Sequence, residues 1–112
     1  MFGNPRNGKG DEMNAISKVS DITYNDIADY LHLDTVTADD QNLLNNLLGI
    51  SKAYMQGYTG LTPAQLDEHE DFVIVVFVLC QDMYDNRTLY VDNSNLNNVV
   101  DTILGMHRVN LL

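Results

Sequence analysis

The side chains able to do chemistry are few: one cysteine, Cys80, three histidines at His32, His69 and His107, and an acidic run, Asp67-Glu68-His69-Glu70-Asp71. A cysteine nucleophile needs a base within hydrogen-bond reach. His69, the nearest histidine in sequence, lies eleven residues before Cys80. On one continuous helix that spacing returns to nearly the same face but roughly 16 Å along the axis, too far for proton transfer. Cys80 therefore reads as a buried core thiol. On the same helix Asp67, Glu70 and Asp71 share a face, yet an oxygen site for calcium wants a looped cage with backbone carbonyls. Carboxylates near a helix start are favoured by the helix dipole, so the run reads as a solvated helix beginning. His32 and His107 have no partner at metal-ligand spacing, and the chain has no glycine-rich phosphate loop and no nucleophile elbow. The sequence thus points to no catalytic, cofactor-binding or metal-binding residues, and to a protein that is not an enzyme and acts by binding.

Charge narrows what it binds. Over 112 residues, sixteen acids against six bases give a formal net charge of −10. From residue 20 onward there are fourteen acids and only Lys52, Arg87 and Arg108 as bases, a formal charge of −11. A duplex-binding surface needs several Lys or Arg contacts to phosphate. Nucleic acid and anionic membranes are therefore poor partners, and the acids read first as a solvated surface. The lone cysteine excludes an intramolecular disulfide and suits a reducing compartment.

The elements that position these residues turn on "FVIVVFVLC", Phe72 to Cys80, nine apolar residues without a break. A bilayer span needs about 20 such residues, and this run is flanked by acids on both sides, so the chain reads as soluble. Its valines favour a strand locally, but the other segments read as helices, and a strand without partners is not viable. Upstream, "TPAQ" is a helix start, with Thr62 as cap, Pro63 in the first turn and Gln65 reaching back. Downstream, Met83, Tyr84 and Arg87 continue a helical stripe with Phe72, Val76 and Leu79 or Cys80. The run is read as a helix from Thr62 onward, buried on most sides and uninterrupted by Gly or Pro until Asp92.

Around it, Thr23 caps a short helix bearing Ile27, Tyr30 and Leu31. Thr37 caps a long helix with Leu43, Leu44, Leu47, Leu48, Ser51, Tyr54, Met55 and Tyr58 on one stripe. Gly60 supplies a left-handed end to that helix. A last helix starts near Ser94 or Asn95 and carries Leu96, Val99, Val100, Ile103 and Leu104. The expected fold is all-α: one small domain of about four helices over roughly residues 20–106, a flexible arm at residues 1–19 and a C-terminal tail.

The order of these features resembles the head-tail connector, or head-completion, family of tailed bacteriophages. A short helix, "ITYNDIADYLHLD", precedes an acid pair, Asp39-Asp40. A long helix then closes on "YMQGYTG", an apolar helix ends in the Tyr-x-x-Arg of "MYDNR", and a final helix leads into the basic turn of "ILGMHRV". The similarity spans about residues 20–110. It departs from the common pattern in its longer arm and in lacking a proline-rich loop after Arg87. The resemblance implies a structural virion protein of the DNA-packaging stage. Such a protein forms a homo-oligomeric ring between the portal and the next connector or tail protein, at the head-tail junction, after assembly in the host cytoplasm. It implies no cofactor.

Partner-contacting residues are expected at Arg87 and along His107, Arg108, Val109, Asn110, Leu111 and Leu112. The first reading of Arg87 is structural, an ion pair with an acid or capping of its helix's last carbonyls, with an intersubunit contact as the second. The apolar tail "VNLL" suits docking on a partner or packing on its own domain. The alternative is a small acidic binding or regulatory protein, such as a nucleic-acid mimic. That reading needs acids arrayed at phosphate-like spacing, whereas many here fall at helix starts. On either reading the chain should not retard duplex DNA in a gel shift at physiological salt and micromolar protein. A salt-sensitive shift would overturn the charge argument.

Overall fold

Threonine caps set where the first three helices begin. The computed structural model describes residues 16–109, and among them it holds five α-helices and two 3-10 turns. Residues 1–15 of the expected arm lie outside the described residues, while its end is part of the domain: Val19 is buried in the core and Ile16 packs against it. The helices are α1 (Tyr24–Tyr30), α2 (Ala38–Thr59), α3 (Pro63–Leu66), α4 (Phe72–Asn86) and α5 (Asn98–Met106); the 3-10 turns are Val19–Asp21 and Asn93–Asn95. Ahead of α1, the Thr23 N–H donates to the Asp26 carboxylate at 2.8 Å. Before α2, Thr37 and Asp40 exchange bonds of 3.0 and 3.1 Å. Thr62 and Gln65 do the same at 2.9 and 3.2 Å before α3. The pairs before α2 and α3 each satisfy two N–H groups that a helix start leaves orphaned, worth about 1 kcal/mol per cap.

The all-α architecture is as expected, but one expected helix is two. The helix that starts at Thr62 lasts a single turn, and the chain re-enters α-geometry only at Phe72. Residues between are joined by three-residue turns: Glu68 N–H to Gln65 O, His69 to Leu66, Phe72 to His69, and Val73 to Glu70. Continued as a helix, this stretch would set Asp67 against Asp71 and Glu70, and Glu68 against Asp71. Like charges at those spacings destabilise a helix by a few tenths of a kcal/mol each, roughly 0.2–0.5. Opened out, Asp67 takes a partner of its own, accepting the Ser20 N–H at 3.0 Å and its hydroxyl at 2.7 Å.

The helix ends also differ from expectation. α4 stops at Asn86, because Arg87 turns left-handed at φ 58°. There the Arg87 N–H reaches Tyr84 O at 3.3 Å and the Thr88 N–H reaches Met83 O at 3.0 Å. α1 ends the same way at His32, φ 62°, with the Leu33 N–H on Ala28 O at 3.0 Å. Both are Schellman closures, built on side chains for which that backbone costs about 1–2 kcal/mol more than for glycine. The last helix begins at Asn98 instead of Ser94 or Asn95. The Asp92 carboxylate captures the Ser94 N–H, the Ser94 hydroxyl and the Asn95 amide, closing a 3-10 turn. Helix geometry then starts afresh under Asn97, whose Oδ1 accepts from Val99 at 2.8 Å and from Val100 at 3.4 Å.

α4 is the centre of the domain. Phe72, Val75, Val76, Phe77, Leu79, Cys80 and Met83 are all buried on it, each full burial contributing roughly 1.5–3 kcal/mol for the larger side chains. Across it lies α2, with Leu44, Leu47, Leu48 and Met55 buried as its stripe predicted. α1 brings Ile27, and Tyr30 stacks on Phe77 with ring centroids 5.0 Å apart. α5 contributes Val100 and Leu104, while Val99, expected inside, faces out one position off that pair. Where α2 meets α4 the two small side chains Ser51 and Cys80 touch, Oγ to Sγ 3.4 Å. Burial pushes the Cys80 thiol up to about 11, which makes it an inert core group as expected.

Gly49 within α2 and Gly60 just past its end should respond in opposite directions to the same substitution. Gly60 is left-handed at φ 79°, whereas Gly49 is helical with nothing within 4 Å of an added Cβ. Gly60→Ala should destabilise by about 1 kcal/mol or more, and Gly49→Ala should stabilise by roughly 0.5–1 kcal/mol. Urea-unfolding midpoints of the two variants should move to opposite sides of the parent's.

Candidate functional site

The helical path brings the two ends of the second half of the chain together. α4 and α5 pack as an antiparallel pair, so the end of α5 meets the start of α4. There His107, Arg108 and Val109 lie back across the domain, and each finds a different partner. His107 Nε2 sits 3.0 Å from Asp71 Oδ2. Its ring lies against the His69 ring, centroids 4.1 Å apart and tilted by 37°. Phe72 stands edge-on to both imidazoles, at 4.8 Å from His107 and 5.4 Å from His69. The Arg108 guanidinium lies 5.4 Å above the Tyr58 ring, a cation–π contact worth about 0.5–1 kcal/mol at an exposed site. The Val109 N–H donates to Thr59 O at 2.7 Å, beside Gly60.

The supports of these three residues come from α2 and from the turn before α5. The Tyr58 hydroxyl donates to Asp101 at 2.7 Å, and that hydrogen bond, followed by desolvation, raises the phenol above its ordinary pKa. One turn earlier the Tyr54 hydroxyl donates to Asn93 Oδ1 at 2.6 Å. Tyr54 and Tyr58 thus pack their rings on the apolar stripe and use their hydroxyls at the domain edge. Thr59 is buried, and its hydroxyl is satisfied by Met55 O at 2.7 Å.

Of the residues expected to meet partners, the structure brings together His107, Arg108 and Val109. Arg87 is exposed beyond the opposite end of α4, a helix of 15 residues and so about 22 Å away. Its backbone closes the helix end. Asn110, Leu111 and Leu112 lie outside the described residues. Sequence reasoning did not join His69 and Asp71 to His107. It placed the acidic run on a continuous helix, and no local spacing links it to a residue 36 positions after Asp71. The available signal was topological: two antiparallel helices joined by a short loop must bring the end of the second to the start of the first.

His69, Asp71 and His107 are the group among the described residues whose donor atoms could hold a metal ion, all lying within 4.8 Å of one another. All three are partly buried. A separate small cavity beneath the loop after α4 is lined by Asp82, Met83, Tyr90 and Leu96 among others. Desolvation there, with Asp85 adding to it, raises Asp82 above its ordinary value. No known protein family matches this chain, and neither a curated protein nor a solved structure matches it significantly.

The Asp67 anchor beside this site should be visible in acid. Hydrogen bonds from Ser20 hold the Asp67 carboxyl below its usual range. A carboxylate whose folded pKa is depressed contributes stability that is complete above the unfolded value, about pH 4, and lost as pH falls through the folded value. Ser20→Ala should therefore be less stable than the parent at neutral pH, with the gap narrowing below about pH 4. Denaturant midpoints measured from pH 7 to pH 2.5 would show it; a gap independent of pH would contradict it.

Proposed function

We propose that this chain is a structural subunit of a tailed-bacteriophage head-tail connector, assembling as a ring on the portal and presenting a surface to the next connector or tail protein. The observation that carries the reading is the placement of exposed apolar side chains at opposite ends of the α4–α5 pair. Leu89 and Tyr90, 59% and 62% exposed, follow the end of α4; Met106 and Val109, 69% and 38% exposed, lie at the end of α5. A ring is built from heterologous contacts, in which each subunit offers two different patches. Two separated apolar patches on one small domain suit that geometry, and the order of the helices fits the resemblance.

The carboxylates favour this reading over a nucleic-acid mimic. Asp26 and Asp40 close capping boxes, Asp67 holds Ser20, Asp71 meets His107, Asp92 closes a turn and Asp101 holds Tyr58. Acids committed to bonds within the domain are poorly placed to imitate a phosphate array. Those left over give a surface that would not grip DNA passing through a channel.

Assembly is the test. Like-charged subunits repel over a Debye length of about 10 Å at 0.1 M salt, so monomers should dominate in dilute, low-salt buffer. Larger species should appear at high concentration, at higher salt or on addition of portal rings. Light scattering over a concentration and salt series, followed by electron microscopy, reads this out. Tyr90→Asp and Met106→Asp should each block assembly while leaving the helical circular dichroism signal intact. A chain that stays monomeric throughout and ignores the portal would overturn the connector, and capture of a basic DNA-handling protein would put the mimic in its place.

A further inference from the structure

We propose that His69, Asp71 and His107 form a zinc site that fastens the end of α5 to the connection between α3 and α4. Two imidazoles and a carboxylate are donors for a late first-row divalent ion such as zinc; calcium and magnesium prefer oxygen alone. In a tetrahedral site with bonds of 2.0–2.2 Å, neighbouring ligand atoms stand roughly 3.4 Å apart. His107 Nε2 and Asp71 Oδ2, at 3.0 Å, are close to that spacing. Taking one donor atom from each residue, all three lie within 4.8 Å of one another, so closing on the ion takes a movement of roughly 1.5 Å at most. The rings must part a little as they do so, from 4.1 Å between centroids to roughly 5 Å, the separation of two imidazoles on one tetrahedral ion.

The surroundings suit a site of this kind. Phe72, itself fully buried, braces both rings edge-on and limits their rotation. The His107 side chain is 20% exposed and that of Asp71 39%. One side therefore stays open to water, which completes the fourth position. Without the ion, Asp71 and His107 hold each other by a hydrogen bond. With it, both bind the metal, and His107 can no longer swing away from α4. The inference is independent of the ring proposal: a monomer and a ring subunit carry the same three donors.

The experiment uses the full chain, stripped with chelator and titrated with ZnCl2 by calorimetry, with millimolar Mg²⁺ present to occupy scattered carboxylates. One zinc per chain should bind tightly, and thermal unfolding should move to higher temperature with added zinc. His69→Ala and His107→Ala should each weaken that binding by more than roughly 100-fold, beyond what loss of an outer-shell contact does. His32→Ala, on a histidine at the end of α1, should bind as the parent does. In the unsubstituted protein the imidazole NMR signals of His69 and His107 should shift on zinc addition while those of His32 stay in place, a readout that survives any misfolding of the variants. Absence of stoichiometric binding, binding undiminished in both histidine variants, or shifts confined to His32 would each overturn the site.

Discussion

One helix must be hidden, and the rest of the domain is arranged to hide it. α4 is apolar on nearly every side over its first nine residues, so no single neighbour can cover it. α2 covers one flank along its long stripe, α5 another, and α1 with the preceding 3-10 turn a third. This demand explains the chain path better than any local preference does. The valines of α4 favour extended structure, yet a strand would offer two faces to three covering elements and leave its own backbone unpaired.

Much of this was readable from residue types, and the division between what was and was not has a physical basis. Thr37, Thr62 and Gly60 act through atoms within a few residues of themselves, so their caps and the helix boundaries they set are evident in the sequence. The apolar stripe of α2 is likewise local, and its buried set matches. The break at Asp67–Asp71 is different, because it depends on Ser20 and His107 arriving from elsewhere to take up the carboxylates. The ends at His32 and Arg87 were hidden for another reason: both residues adopt a left-handed backbone that glycine usually marks. Nothing in either side chain announces it.

The meeting of His69, Asp71 and His107 belongs to the same class of tertiary consequence. Each histidine, taken alone, looks unremarkable among its sequence neighbours. The break after α3 turns His69 and Asp71 toward the end of α5, and the antiparallel return of α5 delivers His107 to them. The same return lays Arg108 on Tyr58 and Val109 on Thr59, so the last described residues leave the domain from a fixed point beside Gly60.

The contact between Ser51 and Cys80 carries a consequence of another kind. The thiol sits at the seam where the two largest helices cross, sealed from water and held in its unreactive protonated form. It can meet a reagent only when the packing around α4 opens. The rate at which it is modified therefore counts excursions of the native molecule, the openings that bring a buried thiol into reach of solvent. A protein with a single cysteine in that position carries its own gauge of how often its core comes apart.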